Sequence, residues 1–186
     1  MRGFFLCLLV APALAGAAEL RSVSVDVVDG HYLMHSEVWF AARVEQLYAV
    51  MLDYDLGTRF SSVIAESKNV QPDEQGRPRF FTRHKACLLF FCMNFERYGH
   101  VEAEANIAIR ATADPETSDF HTSREVWKFS QEGDGTFLIY DVDLQPKFWI
   151  PPLIGPFILK HKLVNDGSRA ISRIEAIAQA WPHLDD

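Results

Sequence analysis

PKFWIPPLIGPFILKHKLVNDGSRAISRIEAIAQAW, Pro146 to Trp181, decides how the rest of the chain can fold. Its opening, Pro146-Lys147-Phe148-Trp149-Ile150-Pro151-Pro152, ends a strand and starts a helix, because proline tolerates only the first helical turn. Ile154, Phe157, Ile158, His161, Val164, Ile171, Ile174, Ala178 and Trp181 then recur at steps of three and four. That spacing lays one largely apolar stripe along a helix. Lys160, Lys162, Asp166, Arg169, Arg173 and Gln179 fall on the other face. A helix this long needs a broad apolar surface to lie on, and the preceding sequence reads as that surface.

The chain has 186 residues, 48% of them hydrophobic and 23% charged. This favours one domain with a sizeable core. The formal charge is −7, without a basic run. That balance argues against nucleic acid and against electrostatic docking to anionic lipid.

Met1-Arg2 gives a short positive start, and Gly3 to Leu14 (GFFLCLLVAPAL) is apolar. The run is shorter than the ~20 residues of a membrane span. Ala15-Gly16-Ala17 then supplies the small-x-small pattern of a signal-peptidase site. The reading predicts a cleaved signal peptide over 1–17, with an uncleaved anchor as the lesser alternative, one domain over 18–186, and a periplasmic or secreted mature protein. Cys7 sits too early for a lipobox and leaves with the leader.

Cys87 and Cys92 remain, in Cys87-Leu-Leu-Phe-Phe-Cys92. Two cysteines in an oxidising compartment tend to pair. An offset of five puts them on opposite faces of a continuous strand, so a disulfide needs a turn between Leu88 and Phe91. A hairpin staple, two free buried thiols and a redox site all fit the residues. The redox reading lacks CxxC spacing, and a metal site lacks ligand pairs.

Ser22 to Val28 alternates as a half-buried strand, Asp29-Gly30 is a turn or bulge signal, and His31 to Phe40 continues extended. Ala41 to Leu52 has helical spacing, and Tyr54 to Ser61 is a second short helix or loop. Strands follow at Val63–Val70, Arg79–Leu89, Phe91–Ala103, Asn106–Ala113, Phe120–Ser130 and Thr136–Gln145, joined by polar turns. Short turns require antiparallel pairing. The expected class is α+β: a curved antiparallel sheet of about six to seven strands gripping a long C-terminal helix, with two short helices after strand 1.

The order also resembles a known superfamily. Asp29-Gly30-x-Tyr32 is followed by Val44-x-x-Leu47-Tyr48-x-Val50-Met51-Leu52-Asp53-Tyr54-Asp55 and Phe60. Pro146 and Pro151-Pro152-x-x-Gly155 then precede the long helix. This run is similar to the START-like, or SRPBCC, superfamily, the helix-grip proteins that include polyketide cyclases and coenzyme Q-binding proteins. The resemblance covers residues 22 to 181 and implies a cavity between sheet and helix. The superfold hosts carriers, cyclases and hydrolases alike.

Alternation nominates the side chains facing that cavity: Ile107, Ile109, Ser123, Glu125, Trp127, Phe129, Leu138, Tyr140 and Val142, with Phe157, His161 and Val164 from the helix. Phe148 and Trp149 are expected at the mouth. Arg83, Arg97 and Arg124 are candidates whose faces the pattern leaves open, since a one-residue slip reverses every assignment. Each aromatic also suits a plain core. His161 suits a core histidine, a ligand-orienting group or a base. Asp53 and Asp55 read as a helix stop rather than a catalytic pair. His31 and His35 share a strand face about 13 Å apart, too far for one metal.

No GxSxG, HExxH, P-loop or dinucleotide fingerprint occurs. No cofactor or metal is implied. The leading expectation is an exported, non-catalytic protein that binds a lipid or other hydrophobic small molecule, with transient membrane contact allowed and the oligomeric state left open. The alternatives are a cyclase- or hydrolase-type enzyme using Glu125, Tyr140 or His161, and an envelope interaction protein with a closed core.

Overall fold

The structure is a computed structural model that describes residues 17–88, 91–150 and 155–181, with side chains described except at 86–88, 91 and 155–165. Eight strands form a single antiparallel sheet: β1 (Glu19–Val28), β2 (His31–Phe40), β3 (Ile64–Val70), β4 (Arg79–Leu88), β5 (Phe91–Glu104), β6 (Ala108–Ala113), β7 (Phe120–Glu132) and β8 (Gly135–Pro146). Their spatial order is β1-β2-β8-β7-β6-β5-β4-β3. Helices α1 (Val44–Leu52) and α2 (Gly57–Phe60), with a 3-10 turn at Tyr54–Leu56 between them, carry the chain from β2 to the far edge at β3. The long α3 (Gly155–Gln179) follows β8. This is the expected α+β helix grip.

Two details differ from the sequence reading. The sheet has eight strands rather than six to seven, and the short helices follow the second strand rather than the first. One cause explains both. Asp29 (φ 51°) and Gly30 (φ 80°) are both left-handed, the combination that closes a tight two-residue hairpin. His31 to Phe40 therefore turns back on β1, with Val28 opposite His31 and Val25 opposite Met34.

The core gathers under the C-terminal half of α3. Phe40, Leu47, Val50, Phe80, Ile109, Ala111, Trp127, Phe129 and Leu138 are buried there with Ile171 and Ala178. Val44, Leu47 and Val50 put one face of α1 into this core. Glu175 sits on the buried stripe of α3, four residues after Ile171. Its Oε1 accepts from the Ala41 N–H at 2.7 Å and its Oε2 from the Ala18 N–H at 2.9 Å. Gln179, one turn on, donates to the Ala41 carbonyl at 2.7 Å. Directed polar contacts thus fix the rotation of α3 where apolar packing alone would let it slide.

At Gly99 a Cβ would stand 2.1 Å from the Thr112 carbonyl oxygen and 2.6 Å from Ala113 Cα. Glycine here lets β5 and β6 approach closely enough for the sheet to bend. At Gly167, inside α3, a Cβ would meet nothing within 4 Å. Gly99→Ala is expected to destabilise by about 2–3 kcal/mol, roughly 5–10 °C in melting temperature. Gly167→Ala should stabilise by about 0.5–1 kcal/mol, because alanine is the better helix former and space is free. Thermal denaturation of the two variants checks both signs.

Candidate functional site

The inward face of the sheet is zoned along its strands. Phe129, Leu138 and Phe40 fill the end under α1. Further along the strands the face turns polar: Glu125 lies four residues before Phe129 on β7 and Tyr140 two residues after Leu138 on β8, with Arg97 on β5 and Thr82 on β4. Beyond these, Phe95 stacks on His84 (5.1 Å between ring centroids) and meets Phe120 edge-on at 5.5 Å and Phe148 at 5.9 Å. A polar band therefore runs between a packed apolar end and an aromatic end.

Arg97 and Glu125 form the centre of the band. The Arg97 Nη2 donates to Glu125 Oε2 at 2.7 Å and its Nε to Ser123 Oγ at 2.8 Å. Side-chain exposures are 6% and 11%. They meet because β6 lies between them and, at the level of Glu125, turns only the small Ala111 and Ala113 inward, so the guanidinium can cross that strand to reach β7. Its charge also stands 5.4 Å from the centroid of the Phe80 ring. Tyr140 donates to the other Glu125 oxygen at 2.6 Å and stacks on Trp127 at 5.1 Å.

Burial pushes the Glu125 carboxyl up, but attraction to Arg97 and hydrogen bonds from Arg97 and Tyr140 outweigh it and hold the group below the usual glutamate range. This contribution to stability is present above about pH 4.3 and is lost as pH falls through the folded value. Burial, then the Glu125 charge and its acceptance of the phenolic hydrogen bond, raises Tyr140 well above the usual phenol range. Neither group is poised to transfer a proton near neutral pH.

Tyr54 enters from the 3-10 turn, and its ring stacks on Phe80 at 4.6 Å. The turn is held by carboxylates: Asp53 accepts from the Asp55 N–H, and Asn69 on β3 bonds both Asp53 and Asp55. Asp53 and Asp55 thus terminate the helix and tie it to β3. The Tyr54 hydroxyl is buried and has no hydrogen-bond partner among the described residues. Burial, with the Glu125 charge second, raises it far above the usual phenol range, so it stays a neutral donor. His84 is lowered to about 4 by burial and by the Arg97 charge, against a smaller opposing pull from Glu125. Its Nε2 lies 3.2 Å from the Thr82 hydroxyl.

The structure brings Ile109, Ser123, Glu125, Trp127, Phe129, Leu138 and Val142 to the buried inward face, with Tyr140 half-buried beside them. Ile107 is a correction: it is 54% exposed in the β5–β6 turn, because Asn106 is left-handed (φ 60°) and regular alternation starts only at Ala108. Trp149 is 76% exposed beyond the end of β8. Of the three candidate arginines, Arg97 alone turns inward. Arg83 pairs with Glu66 and Glu96, and Arg124 is exposed. The side chains of Phe157, His161, Val164 and Cys87 lie outside the described residues.

Tyr54, Thr82 and His84 were not singled out from sequence. Alternation in β4, Phe80-Thr82-His84 against Arg79-Phe81-Arg83, carried a signal for the last two. Tyr54 gave none, since a 3-10 turn has no periodicity to read. His31 and His35 belong to the outer face, paired at 2.6 Å with Asp143 and Asp141. Among the described residues no cluster suits a metal ion, and no helix is long and apolar enough to cross a membrane. A groove of about 900 Å³ beside α1 is lined by Glu45, Asp53, Asn69, Asn106 and Asp134. It lies outside the sheet–helix interior and contains none of the nominated residues.

No family model and no curated protein matches the chain by sequence. Solved structures do match by shape. A START-superfamily protein from Mycobacterium smegmatis superposes with a TM-score of 0.60 at 18% identity, over 81% of this chain and 99% of that one. A STAR-related lipid transfer protein from Xanthomonas axonopodis gives 0.60 at 14% identity, over 82% and 98%. An aromatase/cyclase from Streptomyces sp. R1128 gives 0.59 at 10% identity, over 80% and 94%. The chain has the START-like, helix-grip fold.

The two histidine environments give opposite titrations. The His84 ring, preferred neutral, removes stability as pH falls from about 6.5 toward 4. His35 is raised, chiefly by its hydrogen bond to Asp141, so its contribution is present below about pH 6.5 and is lost as pH rises through the folded value. NMR titration of the histidine ring protons should place the His84 midpoint near 4 and the His35 midpoint above 6.5.

Proposed function

We propose that the protein is an exported binding protein for a hydrophobic small molecule or lipid whose polar end reaches the Arg97–Glu125–Tyr140 band. One observation carries this reading: the buried Tyr54 hydroxyl, a hydrogen-bond donor without a partner among the described residues, beside a pre-formed ion pair. An orphaned buried donor costs about 1–3 kcal/mol. A carbonyl or hydroxyl oxygen on a guest would offset that cost. The apolar part would lie against Trp127, Val142 and the Phe95–Phe120–Phe148 rings, with Phe157, His161 and Val164 on the helix side. The band favours binding over proton transfer, because Glu125 is held ionised by a fixed cation and so is a weak base.

Tyr54→Phe keeps the ring stacked on Phe80 and removes only the donor. It is expected to weaken binding of a fluorescent long-chain ketone by about threefold to tenfold, with the matching alkane probe unaffected. Equal affinities of the two proteins for the ketone would count against the assignment.

The same reading places the chain in an oxidising compartment, where we propose a Cys87–Cys92 disulfide. In the β4–β5 pairing Cys87 stands directly opposite Cys92, with Leu88 opposite Phe91. Directly opposed residues have Cα atoms about 4.5–5.5 Å apart, within disulfide range. Closing so small a loop contributes about 2 kcal/mol. Reduction of the exported protein should lower its melting temperature by about 4–8 °C. Thiol titration of the unreduced, denatured protein should find none free.

A further inference from the structure

Glu175 is only 8% exposed, yet its oxygens are met by two neutral backbone donors, the N–H groups of Ala41 and Ala18. No lysine, arginine or histidine among the described residues lies within 4.0 Å of it. A buried carboxylate answered only by neutral dipoles keeps much of its desolvation cost, and a cation in the same place would remove it.

The nitrogen that faces Glu175 Oε2 at 2.9 Å belongs to a particular residue. Ala18 packs against the core, whereas Ala17 before it is exposed. Ala15-Gly16-Ala17 sets small residues one and three positions before the Ala17–Ala18 bond, behind the apolar run of Gly3 to Leu14. That is the pattern an export peptidase cuts. The geometry points to the Ala17–Ala18 bond as a processing site whose product is a structural element: the new α-ammonium of Ala18 ion-pairs with Glu175 and locks α3 to the sheet.

The step is a hydrolysis catalysed by a peptidase of the export machinery. Water's hydroxyl adds to the Ala17 carbonyl carbon and the C–N bond breaks. Ala17 leaves as a carboxylate, and the Ala18 nitrogen takes up the protons to become an ammonium. A start two residues away would move the charge by about 6–7 Å along an extended chain, out of reach of Glu175. Processing thereby supplies Glu175 with a cation that no described residue offers it. The α3 anchor would be weaker in the precursor than in the exported protein.

The inference rests on the export reading, and the experiment separates the two. The full chain is expressed in an exporting bacterial host and the intact mass of the product measured. A product beginning at Ala18 is expected. An uncleaved chain overturns both readings, and cleavage at another bond overturns this one while leaving export intact. Ser-Gly is then inserted between Ala17 and Ala18, so that the exported protein starts two residues earlier, in the wild type and in Glu175→Gln. The insertion should lower the melting temperature by about 5 °C in the wild type and by little in Glu175→Gln. Equal drops in both backgrounds, or none in the wild type, overturn the pairing. If Glu175→Gln does not fold, selective acetylation of the α-amine in the wild type gives the same readout. An unchanged melting temperature there overturns the proposal.

Discussion

Two opposite charges taken out of water on the inward face of the sheet, Arg97 and Glu125, set the terms for their surroundings. Burying such a pair is about neutral in stability at best, and hydrophobic residues of similar volume commonly do as well or better. The arrangement persists only because every strand nearby accommodates it. Ala111 and Ala113 leave space for the guanidinium to cross β6, Ser123 takes its Nε, and Tyr140 completes the carboxylate. Removing either partner would strand the other in a low dielectric. That cost makes the pair a rigid, pre-oriented dipole, which a binding site can use and a plain core does not need.

The remainder of the interior divides its labour around this band. On one side the packed cluster of Phe40, Leu47, Val50, Phe129 and Leu138 holds α1 and the C-terminal half of α3 in place. On the other, the rings of His84, Phe95, Phe120 and Phe148 give the strand ends an aromatic surface. Glu175 and Gln179 fix α3 at its far end, on the Ala18 and Ala41 backbones. Solved START-like structures share this sheet-and-helix fold. The low identities to those structures show a common fold and leave the chemistry to the residues described above.

Much of this architecture was legible from residue order. The stripe Ile171, Ile174, Ala178 placed the buried face of α3, and alternation placed Ser123, Glu125, Trp127, Phe129, Leu138 and Tyr140 together. The errors have physical causes. Asp29-Gly30 can continue a strand or reverse it, and only the pair of positive φ values decides. Ile107 follows the alternation of β6 on paper but lies before its first residue. Glu175 was invisible because a carboxylate on a helix is assumed solvated, although it sits four residues from Ile171 on the same face. Tyr54 depends on a 3-10 turn and on the ring of Phe80, 26 residues further along the chain, which no local pattern encodes. Arg97 could be nominated but not oriented, since its face depends on the β5–β6–β7 register.

The central claim is that the space above Tyr54 and the Arg97–Glu125 pair is reserved for a guest. An experimental electron-density map of the protein, purified gently and without added ligand, tests this most directly. The account predicts elongated density or ordered water within hydrogen-bonding distance of the Tyr54 hydroxyl, continuing along Trp127 toward the Phe95 and Phe148 rings. A side chain from α3 bonded to that hydroxyl, with the band packed solid beneath the helix, would contradict it.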